Sequence, residues 1–405
     1  MRDACRAVVP RRGTKAAAFA GKWIEYDRGI RSTPEAAACA GADYPLVCRA
    51  PPPQFPLKFP NLSRLGLSAA ATLLLLAAPA VADTPSYPPL NVPAPGPAGP
   101  GPYAPQPILQ GGIVVPLYPP DSPFLNQARI REPEHYNMSG GVPGRIQSVV
   151  NIHNPSIEVH LVEPKFNTGA AVIVLGGGAH KTLNVSGEGS DVVYWLYNYG
   201  VNVVILRNRL RSDGYDPFRD GVNDALQAVR LVRAHAAEWR FDPQKIGVLG
   251  FSAGGELAAS AAVAYQDFGR ANGGPGDALA GVSARPDFAG LIYTGPTPFT
   301  RDPSARVPAD APPTFIACAG SGDQVHAVWS DTYFAAMLKA GIPNLEMHIY
   351  GDGEHADGLK DRGGIPFGTW QDRYIDWFRD LGFLGRPGVE TKAARDSAAF
   401  VAKPR

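Results

Sequence analysis

Two hydrophobic periods alternate along this chain from about Ile146 onward. Short apolar runs are separated by longer stretches in which apolar positions recur three or four residues apart. The first kind reads as buried strand and the second as helix facing a core. Strands are expected at Ile146 to Ile152, Ile157 to Val162, Ala170 to Leu175, Val201 to Leu206, Lys245 to Leu249, Phe288 to Tyr293, Pro313 to Ala319 and Glu346 to Tyr350. The first two read as an antiparallel pair. Helices are expected at Ser190 to Tyr199, Asp220 to Arg240, the Ala-rich stretch after Gly254, Thr332 to Ala340, and Trp370 to Leu381. Strands that alternate with helices predict an α/β fold with a mostly parallel sheet covered on both faces. Ligands of such sheets sit beyond the carboxyl ends of the strands.

The most informative of those strand ends is Gly250-Phe251-Ser252-Ala253-Gly254. A Gly-x-Ser-x-Gly sequence between strand and helix is the context of a nucleophile elbow. There Ser252 Oγ stands exposed and the amide of Ala253 opens a helix, where an oxyanion can be held. A serine nucleophile needs a base, and the base needs an orienting acid. The expected chain order is serine, acid, histidine. Asp323 follows one late strand and His355 the next, so Ser252, Asp323 and His355 are the candidate triad. Asp352 and Glu354 are poor acids for so near a neighbour as His355. His326 lies near Asp323 but in the wrong loop for the base. His180 precedes the serine, and His135, His153, His160, His235 and His348 read as structural. Gly176-Gly177-Gly178 after the third strand lets backbone amides point inward unhindered. The amides of Gly177, Gly178 and Ala253 are the candidate oxyanion hole.

Composition narrows the field. The chain has 405 residues and net charge +1, which hides an asymmetry. Residues 1–64 hold 11 Lys or Arg and 5 Asp or Glu, while 83–405 hold 27 and 32. A mildly acidic body argues against nucleic acid as a partner. Of four cysteines, three precede residue 58 and no pair has metal-ligand spacing. Cys318, in an apolar run, is expected to be an inert core residue. No metal and no cofactor is called for. Neither G-x-G-x-x-G nor a P-loop sequence is present.

The amino-terminal part divides in four. Residues 58–64 are basic, Leu65 to Ala82 are uncharged, and Ala80-Val81-Ala82 is an A-x-A cleavage signal. This reads as a signal peptide over 58–82, with a single membrane anchor as the other reading. The expected location is periplasmic or secreted, with no stable membrane insertion after cleavage. Residues 1–57, upstream of it, read as an over-extended start. Residues 83–123 contain 14 prolines and read as an extended linker. The catalytic domain is then expected over 124–384, with a loose tail over 385–405 that can end in a frayed helix.

These residues resemble the α/β-hydrolase superfamily. The chain is similar to its carbohydrate-esterase branch, labelled acetylxylan esterase or endoxylanase-like esterase and related to prolyl oligopeptidases. The similarity runs from Val115-Pro116-Leu117-Tyr118-Pro119 through Glu188-Gly189, Arg209-Leu210, and Asp224 to Arg233, to the elbow and Gly341-Ile342-Pro343. It departs from the branch at Ala179, Asn208, Glu256 and Gly353-Glu354-His355-Ala356. The resemblance implies the triad Ser252, Asp323 and His355, no metal, and an ester of an acylated sugar as substrate. Short acyl groups are expected, since no long apolar lid segment is present. A peptidase of the prolyl-oligopeptidase type and a non-catalytic exported binding module are the rivals. Glycoside hydrolysis needs a flanking carboxylate pair, and none is assigned.

Overall fold

A computed structural model describes residues 100–272, 277–356, 358–359 and 366–403. The signal segment expected over 58–82 and the over-extended start over 1–57 lie outside the described residues. Among the described residues no helix is long and apolar enough to cross a membrane.

Eleven strands and eight α-helices are described. The strands are β1 (Ile113–Pro116), β2 (His135–Met138), β3 (Ile146–Val150), β4 (Ser156–His160), β5 (Ala171–Leu175), β6 (Leu183–Asn184), β7 (Asn202–Arg207), β8 (Ile246–Phe251), β9 (Ala289–Ile292), β10 (Thr314–Ala319) and β11 (Glu346–Tyr350). The helices are α1 (Asp191–Tyr197), α2 (Val222–Ala234), α3 (Ala236–Trp239), α4 (Ala253–Asn272), α5 (Pro298–Arg301), α6 (Gln324–Lys339), α7 (Trp370–Asp380) and α8 (Lys392–Val401). Eight strands form one sheet in the order β1-β4-β7-β5-β8-β9-β10-β11. From β7 to β11 every pairing is parallel, while β1 and β4 join antiparallel at one edge.

The central strands are apolar on both faces because both faces are covered. In β5, Ala171, Ile173 and Leu175 enter one core with α2, α4 and α6. Val172 and Val174 enter the other, with α1 and α7. A period of two therefore serves two cores, and the run reads as continuously hydrophobic. Cys318 in β10 is a buried free thiol whose pKa burial pushes to about 11, which leaves it inert.

Three expectations fail. The runs beginning at Ile146 and Ile157 do not pair with each other. β3 lies in a separate sheet of order β2-β3-β6, and β4 pairs with β1 and β7. Two adjacent apolar strands look alike in sequence whichever sheet takes them. The linker does not extend to residue 123, because β1 within it pairs with β4 from Ile113 to Pro116. Pro116 ends that strand at the sheet edge, a position that tolerates a missing donor. The tail is not loose. Its residues 392–401 form α8, capped by Thr391 Oγ1 on the Ala394 amide at 3.0 Å, with Ala393 buried. Helix boundaries move as well. α6 begins eight residues before the expected Thr332, and the helix expected to Arg240 breaks at His235.

The segment before the domain is held by buried charge. Arg207 donates to Glu134 Oε2 at 3.0 Å and to Glu158 Oε2 at 2.7 Å, with all three side chains almost fully buried. Glu158 also accepts from the amides of Ile108 and Leu109 at 2.6 and 2.9 Å. A second buried pair lies beside the first α-helix after β7. Asp224 of α2 takes both Arg209 Nη2 at 2.7 Å and the Tyr118 hydroxyl at 3.0 Å.

Candidate active site

Backbone geometry presents the serine. Ser252 has φ 51°, a left-handed conformation that is strained for any residue with a side chain. The neighbouring glycines are required by close approach. A Cβ on Gly250 would lie 2.2 Å from the Gly254 carbonyl oxygen, and one on Gly254 would lie 2.0 Å from that of Leu175. The turn is pinned by the Ser252 amide, which donates to the Ile292 carbonyl at 3.0 Å.

The three triad candidates, which are far apart in sequence, meet at the carboxyl ends of β8, β10 and β11. Ser252 Oγ lies 2.9 Å from His355 Nε2. His355 Nδ1 lies 3.0 Å from Asp323 Oδ2. Asp323 is buried, at the start of α6, while His355 is open to solvent. The edge of the His355 ring faces that of Tyr293, centroids 5.1 Å apart. Such a chain can move a proton from the serine to an imidazole whose other nitrogen is held by a carboxylate.

The oxyanion candidates divide. Ala253 is the first residue of α4, so its amide is among those without an intrahelical acceptor. The Gly178 amide has no acceptor among the described residues. The Gly177 amide is a correction: it donates to Glu188 Oε2 at 2.7 Å and is committed there. Glu188 is buried, and its other oxygen accepts from the Tyr293 hydroxyl at 2.8 Å. Burial pushes its carboxyl up, against the Gly177 amide, the Tyr293 hydroxyl and the charge of His355. Through Tyr293, which also accepts from the Gly358 amide at 3.1 Å, Glu188 joins the Gly-rich loop to the loop that carries His355.

One wall of the site is polar. Glu256 lies one turn after Ser252, and its Oε2 is 3.3 Å from His180 Nε2. A Cβ on Gly295 would lie 2.1 Å from Glu256 Oε1, so the carboxylate is pressed against that glycine. The Arg301 guanidinium sits over the Phe218 ring at 3.8 Å, and His180 meets the same ring edge-on.

The remaining histidines sit where sequence reasoning put them, away from the serine. His153 bonds Tyr215 and Asn151, His160 bonds Glu158, His348 bonds Glu346, and His235 bonds Glu238. His135 lies exposed on β2. Asp352 takes the Gly353 amide rather than His355. Sequence reasoning missed two residues. Glu188 was visible only as half of a Glu-Gly pair with no chemistry attached. His326 was set aside as a base, and its bond to the other oxygen of Asp323 depends on α6 starting at Gln324, ahead of the helix expected from Thr332.

Known proteins resemble this chain over the segment that carries the serine. The family described as BD-FAE matches residues 158–274, which contain the Gly-rich loop and the serine. An acetylxylan esterase of Xylanibacter ruminicola is 26% identical over 247 residues, covering 54% of this chain and 46% of that protein. Endo-1,4-beta-xylanase B of Butyrivibrio fibrisolvens is 28% identical over 163 residues, covering 40% of this chain and 25% of that protein. The chain thus spans less than half the length of each of these curated relatives. Among solved structures, an acetyl ester-xyloside bifunctional hydrolase from Caldicellulosiruptor lactoaceticus aligns with a TM-score of 0.53 and 26% identity. That match covers 68% of this chain and 98% of the other.

Proposed function

We infer that this chain, an α/β-hydrolase of the carbohydrate-esterase branch, is a serine esterase acting on short-chain esters of acylated carbohydrates. The observation that carries the reading is the continuous hydrogen-bond chain Ser252 Oγ, His355, Asp323. His355 Nε2 takes the hydroxyl proton as Ser252 Oγ attacks the ester carbonyl. Asp323 stabilises the imidazolium through Nδ1–H. The tetrahedral oxyanion is held by the amides of Ala253 and Gly178. Its collapse expels the sugar alcohol, which receives the proton from His355, and leaves the acyl group on Ser252. Water activated by His355 then releases the carboxylic acid and restores the serine.

The substrate class is supported by the wall of the site. A His180–Glu256 pair and a guanidinium over Phe218 suit a hydroxylated alcohol better than a long acyl chain. An acetylxylan esterase among the relatives points the same way.

The test is hydrolysis of p-nitrophenyl acetate, butyrate and octanoate, followed by acetylated xylo-oligosaccharides, beside the Ser252→Ala variant. We expect turnover falling with acyl length and a loss on the order of 10⁶ in kcat in the variant. Turnover that survives Ser252→Ala would remove the assignment.

A further inference from the structure

One oxygen of Asp323 serves His355; the other serves a second imidazole. His326 Nδ1 lies 2.5 Å from Asp323 Oδ1. A carboxylate only accepts, so both Nδ1 atoms carry hydrogen and both donate. The two rings are stacked, centroids 3.8 Å apart and planes 17° off parallel. The three side chains offer ligand atoms close enough together for a metal ion. Each Nδ1 faces its own oxygen of the one carboxylate at hydrogen-bond distance. The arrangement is a bridge of two donors on one acceptor.

We propose that His326 is a positioning residue of the Ser252 site, which anchors Asp323 Oδ1 so that Oδ2 meets His355, and covers one face of the His355 ring. The proposal rests on the reading that Ser252, His355 and Asp323 carry the chemistry. When His355 takes the serine proton, a cation forms against a neutral imidazole instead of against water. A second positive charge 3.8 Å away would oppose that step. Burial and the charge of His355 hold the His326 pKa below the ordinary value, against Asp323 and Glu256, which favours its neutral form. The groups facing the pair are Asp323 at the start of α6, Glu256 on α4, Glu188 before α1 and the Tyr293 hydroxyl after β9; the Trp329 edge on α6 is uncharged.

Three substitutions separate the contributions. His326→Ala removes donor and ring, His326→Phe keeps a ring, and His326→Asn keeps a donor. The readout is the pH dependence of Ser252 labelling by a fluorophosphonate, which needs no knowledge of the natural ester. Losing the donor leaves more of the Asp323 charge for His355, which favours the protonated ring over the free base that the serine needs. We therefore expect the acid limb to move to higher pH in His326→Ala and His326→Phe. At alkaline pH the labelling rate should fall about tenfold or more, the size of one hydrogen bond to a charged group. His326→Asn should recover most of both losses. In proton NMR at neutral pH, His326→Ala is expected to show one fewer downfield Nδ1–H resonance than the parent. A His326→Ala profile that superimposes on the parent would overturn the proposal. Should the parent serine resist labelling altogether, the triad reading fails, and the resonance count alone decides whether His326 shares the carboxylate.

Discussion

Two carboxylate clusters in this molecule use the same kinds of group to opposite ends. Around Arg207, two glutamates share one guanidinium, and all three side chains are sealed from water. Around Asp323, two imidazoles share one carboxylate, and one of them, His355, reaches solvent and the serine. In the first cluster the cation cannot give up its proton, since an arginine stays charged in proteins. In the second every donor is an imidazole, the side chain whose charge changes near neutral pH. The sealed cluster therefore ties the segment before β1 to β4 and β7, and the open one is where the proposed reaction moves a proton. What separates structure from chemistry is the identity of the donors and the access of one of them to water. Burial of the carboxylate is common to both.

The difference is sharpest where one atom changes. Asp323→Asn keeps the size of the side chain but leaves only one oxygen acceptor for two imidazoles. The tautomer of His355 is then no longer held, and we expect kcat for p-nitrophenyl acetate to fall about 10⁴-fold. The same variant should unfold in urea close to the parent. An Asp323→Asn enzyme with near-parental kcat would make the open cluster as structural as the sealed one.

Arg207→Met asks the reverse question. It strands two buried carboxylates, and breaking such a network by one partner costs about 3–5 kcal/mol. The measurement is the urea midpoint, with fluorophosphonate labelling of Ser252 in the folded fraction unchanged. Loss of labelling without loss of stability would break the comparison from the other side.

The two clusters also differ in how far the sequence announces them. Ser252 was legible because its chemistry is local: Gly250 and Gly254 flank it, and both are needed where the backbone passes within 2.2 Å of a hypothetical Cβ. Asp323 and His355 were legible because each ends a strand, and strand ends in a parallel sheet share one edge. His326 was not, since its partner is a carboxylate whose second oxygen only the folded loop exposes. Arg207 gave no signal at all. A charged residue at the end of an apolar run reads as a strand exit, and its partners Glu134 and Glu158 lie 73 and 49 residues away. The same blindness placed β1 in a linker, because prolines around Ile113 hide an edge strand whose hydrogen bonds all come from β4. Periodicity finds what a segment buries, but the pairing of strands and charges is decided by what arrives from elsewhere.

Acid is the gentlest probe of the sealed cluster. Burial pushes the Glu158 carboxyl up, but His160, Arg207 and the amides of Ile108 and Leu109 outweigh it and leave the group below its usual range. A carboxyl lowered in the folded state stabilises the fold above its unfolded pKa. That contribution is lost as pH falls through the folded value. Glu134 behaves oppositely. Burial raises its carboxyl against Arg207 and the Tyr136 hydroxyl, so the folded state favours its protonated form and the fold is relieved as pH falls. The two glutamates on one arginine thus partly cancel, and the acid sensitivity of this cluster is their difference. Glu158→Gln should lower stability at neutral pH and flatten its decline below the usual carboxylate range, while Glu134→Gln should steepen that decline. Urea midpoints measured from pH 7 down to the onset of acid unfolding read both slopes. Equal slopes in the two variants would mean that Arg207 treats its partners alike, and that the amides of Ile108 and Leu109 add nothing to the hold on Glu158.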